Sequence, residues 1–334
     1  MTASPTAQLG PEGGGASLPT PELAAARHPT SGQLLIARIR FLTAMAVAGI
    51  IFWYFGWWVA SPPDPGSAVA LLMADQGVVT MAELLGLAVV VSGLAVAICG
   101  AGCADRGPLA IAVGLATLAT RSGRMDMLVL YRLTSTTPGG GAEAAFPTFS
   151  FIAETWLWLA LIGVGFVVGR WVDSWFSAVP EPKPIQTPSD PGADIRSGAG
   201  TVVVTFAIAW LLLSHFIGGG ADNLEVGQIY FALGFSFMTG ALVSQCLFRG
   251  RSRVWPLVVV ALVASGAYLY AGPSAEELAT AAKYGGYVTL EPLARPLPIE
   301  YAAMGAIGVL FEQDVMAMLG AMIGLSPEEE RAAS

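Results

Sequence analysis

The sequence predicts an all-α, polytopic integral membrane bundle of about eight transmembrane helices. Three observations carry this reading. Of 334 residues, 54% are hydrophobic and only 12% are charged, too few charges to cover a soluble surface of that size. Apolar runs of the roughly 17–25 residues needed to cross a bilayer recur along the chain, and the mean hydropathy is +0.64. The 40 glycines suit helices packed backbone against backbone.

Taken in order, residues 1–34 are rich in Gly, Pro, Ala, Ser and Thr and bury too little apolar surface to order themselves. Arg27, Arg38 and Arg40 stand directly before an uncleaved apolar run, so this segment reads as a disordered cytoplasmic tail and not as a secretory signal. The clear spans are 41–60, 83–103, 150–169, 199–217, 227–248 and 254–272. Segments 108–131 and 300–325 have the length but contain charges. Five prolines between Pro180 and Pro191 keep residues 177–198 extended and solvated, a linker between a first four-helix half over 35–176 and a second half over 199–325. Residues 326–334 read as a cytoplasmic tail.

Orientation follows from the basic residues. Eleven of the sixteen Lys and Arg residues fall in segments assigned to the inside, among them Arg106, Arg170, Lys183, Arg196 and Arg249 to Arg253. Loops 61–82 and 218–226 carry none and hold Asp64, Asp75, Asp222 and Glu225 instead. Both termini are therefore expected in the cytoplasm, with the chain multi-pass in the cell membrane. Trp53, Tyr54, Trp57 and Trp58 crowd the outer end of the first span, and Trp171 and Trp175 follow the fourth at the inner surface, where amphipathic rings prefer to sit.

The halves resemble each other in pattern. "SGLAVAICGAGCADRGPLAIAVGLA" (92–116) and "TGALVSQCLFRGRSRVWPLVVVALVA" (239–264) share a Gly, a Cys six residues later, an Arg-bearing turn and Pro-Leu opening the next helix. Glu154 precedes "IGVGF" and Glu300 precedes "IGVLF". An even number of spans per half makes this a parallel 4+4 duplication with its axis along the membrane normal.

Catalytic and metal motifs are absent from this reading. His28 and His215 are the only histidines, and Cys99, Cys103 and Cys246 lie at inner ends of spans as reduced packing residues. "GGGAD" (218–222) does not match the spacing of intramembrane aspartyl proteases, and "VASG" (263–266) lacks the glycine and histidine of a rhomboid serine site. Gly305, Gly308, Gly320 and Gly324 read as close-packing positions. The expectation is a non-enzyme with no cofactor or metal. A net charge of −8 with no long basic run gives no reason to expect a nucleic-acid partner. The expected partners are the lipid bilayer and other membrane proteins or a second copy.

One stretch resists the pattern. In "GLATLATRSGRMDMLVLY" (114–131), Arg121, Arg124 and Asp126 interrupt an apolar run, and Glu312 and Asp314 interrupt the last span. The first helix either continues to Tyr131 or breaks at Ser122-Gly123. Counting inward from Pro108 and from Leu325 places Arg121 and Glu312 each roughly 20 Å from the inner end. Arg121 is therefore expected to pair with Glu312, and Arg124 with Asp126 or Asp314, because a paired intramembrane charge costs far less than a lone one. These five residues form the candidate intramembrane polar site. Two functional readings follow: a structural or assembly component of the membrane, or a transporter or channel for an anionic or small polar solute using the charges around Arg121.

Overall fold

Apolar side chains and the scarcity of strand-forming alternation leave these segments one way to satisfy their backbone, and they take it as helix. A computed structural model of the chain describes residues 31–62, 68–72, 77–135, 146–176, 191–218, 225–248, 254–284 and 290–323. Among them no strand occurs. Helix α1 (Ser31–Ile51) runs on through a π-turn (Phe52–Gly56) into α2 (Trp57–Ala60). Then come α3 (Gly77–Cys99), α4 (Arg106–Arg121), α5 (Met125–Ser135), α6 (Thr148–Phe176), α7 (Pro191–Gly218), α8 (Val226–Phe248), α9 (Val254–Tyr270), α10 (Ala275–Tyr284), a 3-10 turn (Pro292–Ala294) and α11 (Pro298–Ile323). The described residues from Ile39 onward form one compact unit, and the opening turns of α1 group separately.

Five stretches are long and apolar enough to cross a membrane: Gly32–Ala60, Gly77–Cys99, Thr148–Phe176, Arg196–Gly218 and Val226–Phe248. Three of the expected eight spans differ from these. Helix α9 is apolar but has 17 residues, roughly 25 Å. Helix α11 is long but carries Glu300, Glu312 and Asp314. The 108–131 segment is broken: Ser122 turns extended (ψ 149°), its amide closes on the Ala119 carbonyl at 3.0 Å, and α5 begins afresh at Met125. Of the two structures the sequence allowed there, the chain adopts the interrupted one.

The expected tail and linker fall mostly outside the described residues, as does Gly324. Where the edges are described, helix extends further than expected. Residues 31–34 belong to α1, and residues 191–198, read as linker, open α7. Pro191 fits there because the first helical residue has no use for an N–H.

Helices α6 and α11 are the centre of the bundle. Helix α6 packs on α3, α4, α9 and α11, and α11 packs on α4, α6, α8 and α9. Small residues set these approaches. A Cβ on Gly165 would meet the Pro108 backbone of α4 at 2.6 Å, and one on Gly169 would strike the Ala104 carbonyl. Four residues apart, the two share one face of α6 and let the start of α4 lie directly on it. On α11, Gly305 receives Val260 and Phe237, while Gly308 lies against the Gly234 carbonyl and the Met238 amide of α8. Helices α7 and α8 are tied by Thr205, whose hydroxyl reaches Ser244 Oγ at 3.0 Å.

Because Gly163 has nothing within 4 Å of its position for a Cβ, it is a control for Gly165 on the same helix. Gly165→Leu should lower the thermal unfolding temperature of the detergent-solubilised protein by an amount corresponding to about 1–3 kcal/mol, the cost of overpacking. Gly163→Leu should leave it nearly unchanged. Equal effects would show that the α4–α6 approach does not limit stability.

Candidate functional site

Charged side chains that make contacts across the bundle stand at its two ends. At one end, Arg106, the first residue of α4, donates through Nη1 and Nη2 to the two oxygens of Asp314 on α11, at 2.6 and 2.7 Å. Its guanidinium also lies 4.8 Å from the Phe41 ring centroid. Nearby in sequence, Glu312 is buried and its Oε2 accepts from Gln245 Nε2 of α8 at 3.1 Å. The turn before α4 is fixed by Asp173, which accepts the Gly102 amide at 2.7 Å, and by positive φ at Gly100 and Gly102, a conformation glycine adopts without strain. The three cysteines are free thiols.

At the other end stands Arg121. Its Nη1 donates to the Trp53 carbonyl at 2.7 Å, and its guanidinium lies 4.9 Å from the Trp53 ring and 4.5 Å from that of Trp57. The π-turn places these groups. Its wider ring carries the Trp53 carbonyl that accepts this bond, and Phe52 within it packs against Gly114 of α4. Thr117 adds a hydrogen bond to the Gly49 carbonyl at 3.1 Å, so the last two turns of α4 are fastened along the first long helix. Arg124 pairs with Asp126 at 3.0 Å, one of its two expected partners, on a largely exposed side chain.

The same end holds two partly buried stretches in which the chain leaves the α-helix. In the first, Ala68, Val69 and Leu71 are buried. The Val69 amide donates to Ser122 Oγ at 2.7 Å, and the Leu71 amide to Glu154 Oε1 at 3.0 Å. Glu154, fully buried on α6, also accepts from the Trp158 indole at 3.2 Å. In the second, Leu290, Leu293, Ala294 and Leu297 are buried. Glu300 accepts the Leu297 amide at 2.8 Å, while Tyr268 and Tyr301 donate to the carbonyls of Pro296 and Leu293, each at 2.8 Å. The rings of Phe151, Tyr268 and Tyr301 stand 5.5 and 5.7 Å apart in series, joining α6, α9 and α11.

The five expected site residues are thus not one site. Arg121, Arg124 and Asp126 lie at one end, and Glu312 and Asp314 at the other. The expected Arg121–Glu312 pair does not form. Helices α4 and α11 are neighbours and antiparallel, as the depth argument required, but the register differs. Asp314 stands opposite the first residue of α4, so α11 continues from Val315 to Ile323 beyond it. By sequence Arg106 is a loop charge, and Glu154 and Glu300 are only marks of repetition. An acid inside an apolar helix was the available signal for both.

No protein-family model matches the chain, and no curated protein or solved structure is significantly similar to it.

The ion pair is about one-third exposed on each side, so its coupling should be modest, on the order of 1 kcal/mol. Asp314→Ala and Arg106→Ala should each lower the unfolding temperature, and the double variant should lower it by less than their sum. For Arg121→Ala with Glu312→Ala the losses should add. A double-mutant cycle reads both, and coupling in the second pair alone would contradict the register described.

Proposed function

We propose that the chain is a structural or assembly component of the cell membrane, a non-catalytic multi-pass protein whose intramembrane charges hold its own architecture. The observation that carries this is where the polar groups go. Glu154 and Glu300 accept backbone amides of irregular segments, Asp314 clamps Arg106, and Arg121 is laid against two indoles and a carbonyl. Groups aligned for passage of a solute would converge on one site, whereas these are divided between the ends and tied to backbone or to each other. Partners on this reading are lipid and other membrane proteins or a second copy, met through the apolar flanks of the bundle.

We further propose eight membrane-crossing segments in two halves of four, with both termini cytoplasmic. Support comes from how the second half meets the first. Helix α4 packs on α11, α9 on α6, α6 on α11, and α5 on α10. With α4 and α9, α5 and α10, and α6 and α11 taken as counterparts, a half-turn converts each of these contacts into another or into itself. Directions agree. Ser122 at the end of α4 and Tyr268 near the end of α9 reach the level of Glu154 and Pro296, near the starts of α6 and α11. Counterparts therefore run the same way, as a parallel repeat requires.

Two measurements test these readings. In a cysteine-free background, single cysteines in 61–82 or 218–226 should label with an impermeant thiol reagent added to intact cells, and ones in 100–105 or 249–253 should not. Labelling of only one of the two latter turns would exclude the parallel repeat. For the role, liposomes containing the protein should pass phosphate and chloride no faster than protein-free ones, and mild detergent should extract a particle larger than the 34.6 kDa chain. A saturable anion flux abolished by Arg121→Ala would replace the structural reading with transport.

A further inference from the structure

Arg121 is a fixed cation that meets no carboxylate among the described residues. There the acids near the charged stretches are taken: Asp126 by Arg124 and Asp314 by Arg106. One Nη1 hydrogen bond to Trp53 and two indole faces hold the guanidinium in place. A long arginine free to snorkel would instead put its head into water and lose little. Here the plane is oriented, half-covered, and left with N–H groups that no acceptor among the described residues takes.

The level in the membrane says what meets them. Around this guanidinium the same helical turns expose Tyr54 at 64% and Trp58 at 80%. Exposed Tyr and Trp rings on an apolar helix mark the headgroup layer, because their bodies are apolar and their tips wet. The acceptor abundant in that layer is the lipid phosphate. Its two non-bridging oxygens match the guanidinium fork, and its charge offsets the one left on Arg121. A zwitterionic lipid brings its own cation to its phosphate, so the better complement is a lipid of net negative charge.

We propose that Arg121, oriented by Trp53 and Trp57, is a binding site for the phosphate of an anionic phospholipid at the end of α4. The inference rests on the membrane reading above and adds to it a specific lipid partner. A site of this kind also suits an assembly component, since a bound headgroup would join α4 to the first long helix from outside.

The test uses the full-length protein in nanodiscs of phosphatidylcholine containing phosphatidylglycerol, released into native mass spectrometry. The wild type should retain one phosphatidylglycerol, and Arg124→Ala should retain it as well. Arg121→Ala should lose it by about ten-fold or more, the scale of one charge-assisted contact. Trp57→Leu keeps the charge and removes one of its supports, so it should weaken retention in between, and its unfolding temperature checks that the fold survives. Retention unchanged in both Arg121→Ala and Trp57→Leu overturns the site. If millimolar inorganic phosphate displaces the lipid, or binds as well in its absence, the site takes a soluble anion and the lipid assignment falls. Failure of the chain to enter nanodiscs at all would count against the membrane reading instead.

Discussion

Backbone that leaves the helix inside an apolar bundle must find partners for its N–H and carbonyl groups, and this requirement organises one whole end of the molecule. In 68–72 and 290–297, which are not continuously helical, Ala68, Val69, Leu71, Leu290, Leu293, Ala294 and Leu297 are buried. Side chains take the backbone groups of these buried positions. Ser122 and Glu154 take the amides of Val69 and Leu71, and Glu300 takes that of Leu297. Tyr268 and Tyr301 donate to carbonyls of the second segment. Each of these donors or acceptors sits at or near a helix end. The polar residues that look expensive in the sequence are thus the counterparts of polar backbone that the sequence does not display.

This requirement also fixes helix lengths. Helix α4 stops at Arg121 because Ser122 is extended and its hydroxyl is occupied by the incoming Val69 amide. Helix α9 stops at Tyr270, just past the tyrosine that holds Pro296. Helices α4 and α9 are therefore short, roughly 24–25 Å at 1.5 Å per residue, and the two irregular segments fill the level that they leave. The longer α3, α6, α7 and α8 extend past them. Gly165 and Gly169 bring α6 against the start of α4, so α6 reaches the Arg106 end with Asp173 placed to cap the Gly102 turn.

Much of this was legible. Apolar runs located every long helix but not its ends: α1 begins at Ser31 and α7 at Pro191, ahead of the runs at 41 and 199, and α6 continues to Phe176, past the run that closes at 169. The break at Ser122-Gly123 was one of two alternatives because charge and a short apolar run coincide there. The buried segments were not legible. Loop 61–82 reads as an outside loop from its acids and its lack of Lys and Arg, and nothing in a linear pattern says that Ala68, Val69 and Leu71 turn inward. The π-turn was equally silent, since "FWYFG" differs from any aromatic helix only in the partner it meets, Phe52 against Gly114. Glu154 and Glu300 were visible, but their role depends on chain segments 83 and 3 residues away.

The misplaced ion pair shows why depth alone does not select a partner. Counting residues from an assumed inner end assigned Arg121 and Glu312 one level, and it was right that their helices are antiparallel neighbours. Yet register between packed helices is set by close contacts, and these lie elsewhere. Gly308 against Gly234 and Gly305 against Val260 hold α11 to α8 and α9, while Pro108 on Gly165 holds α4 to α6. With both helices fixed through third parties, Asp314 arrives opposite Arg106, and Glu312 turns toward Gln245. Charges then pair with whatever the packing brings near. Arg121, brought near no acid among the described residues, rests its charge instead on the Trp53 carbonyl and the rings of Trp53 and Trp57.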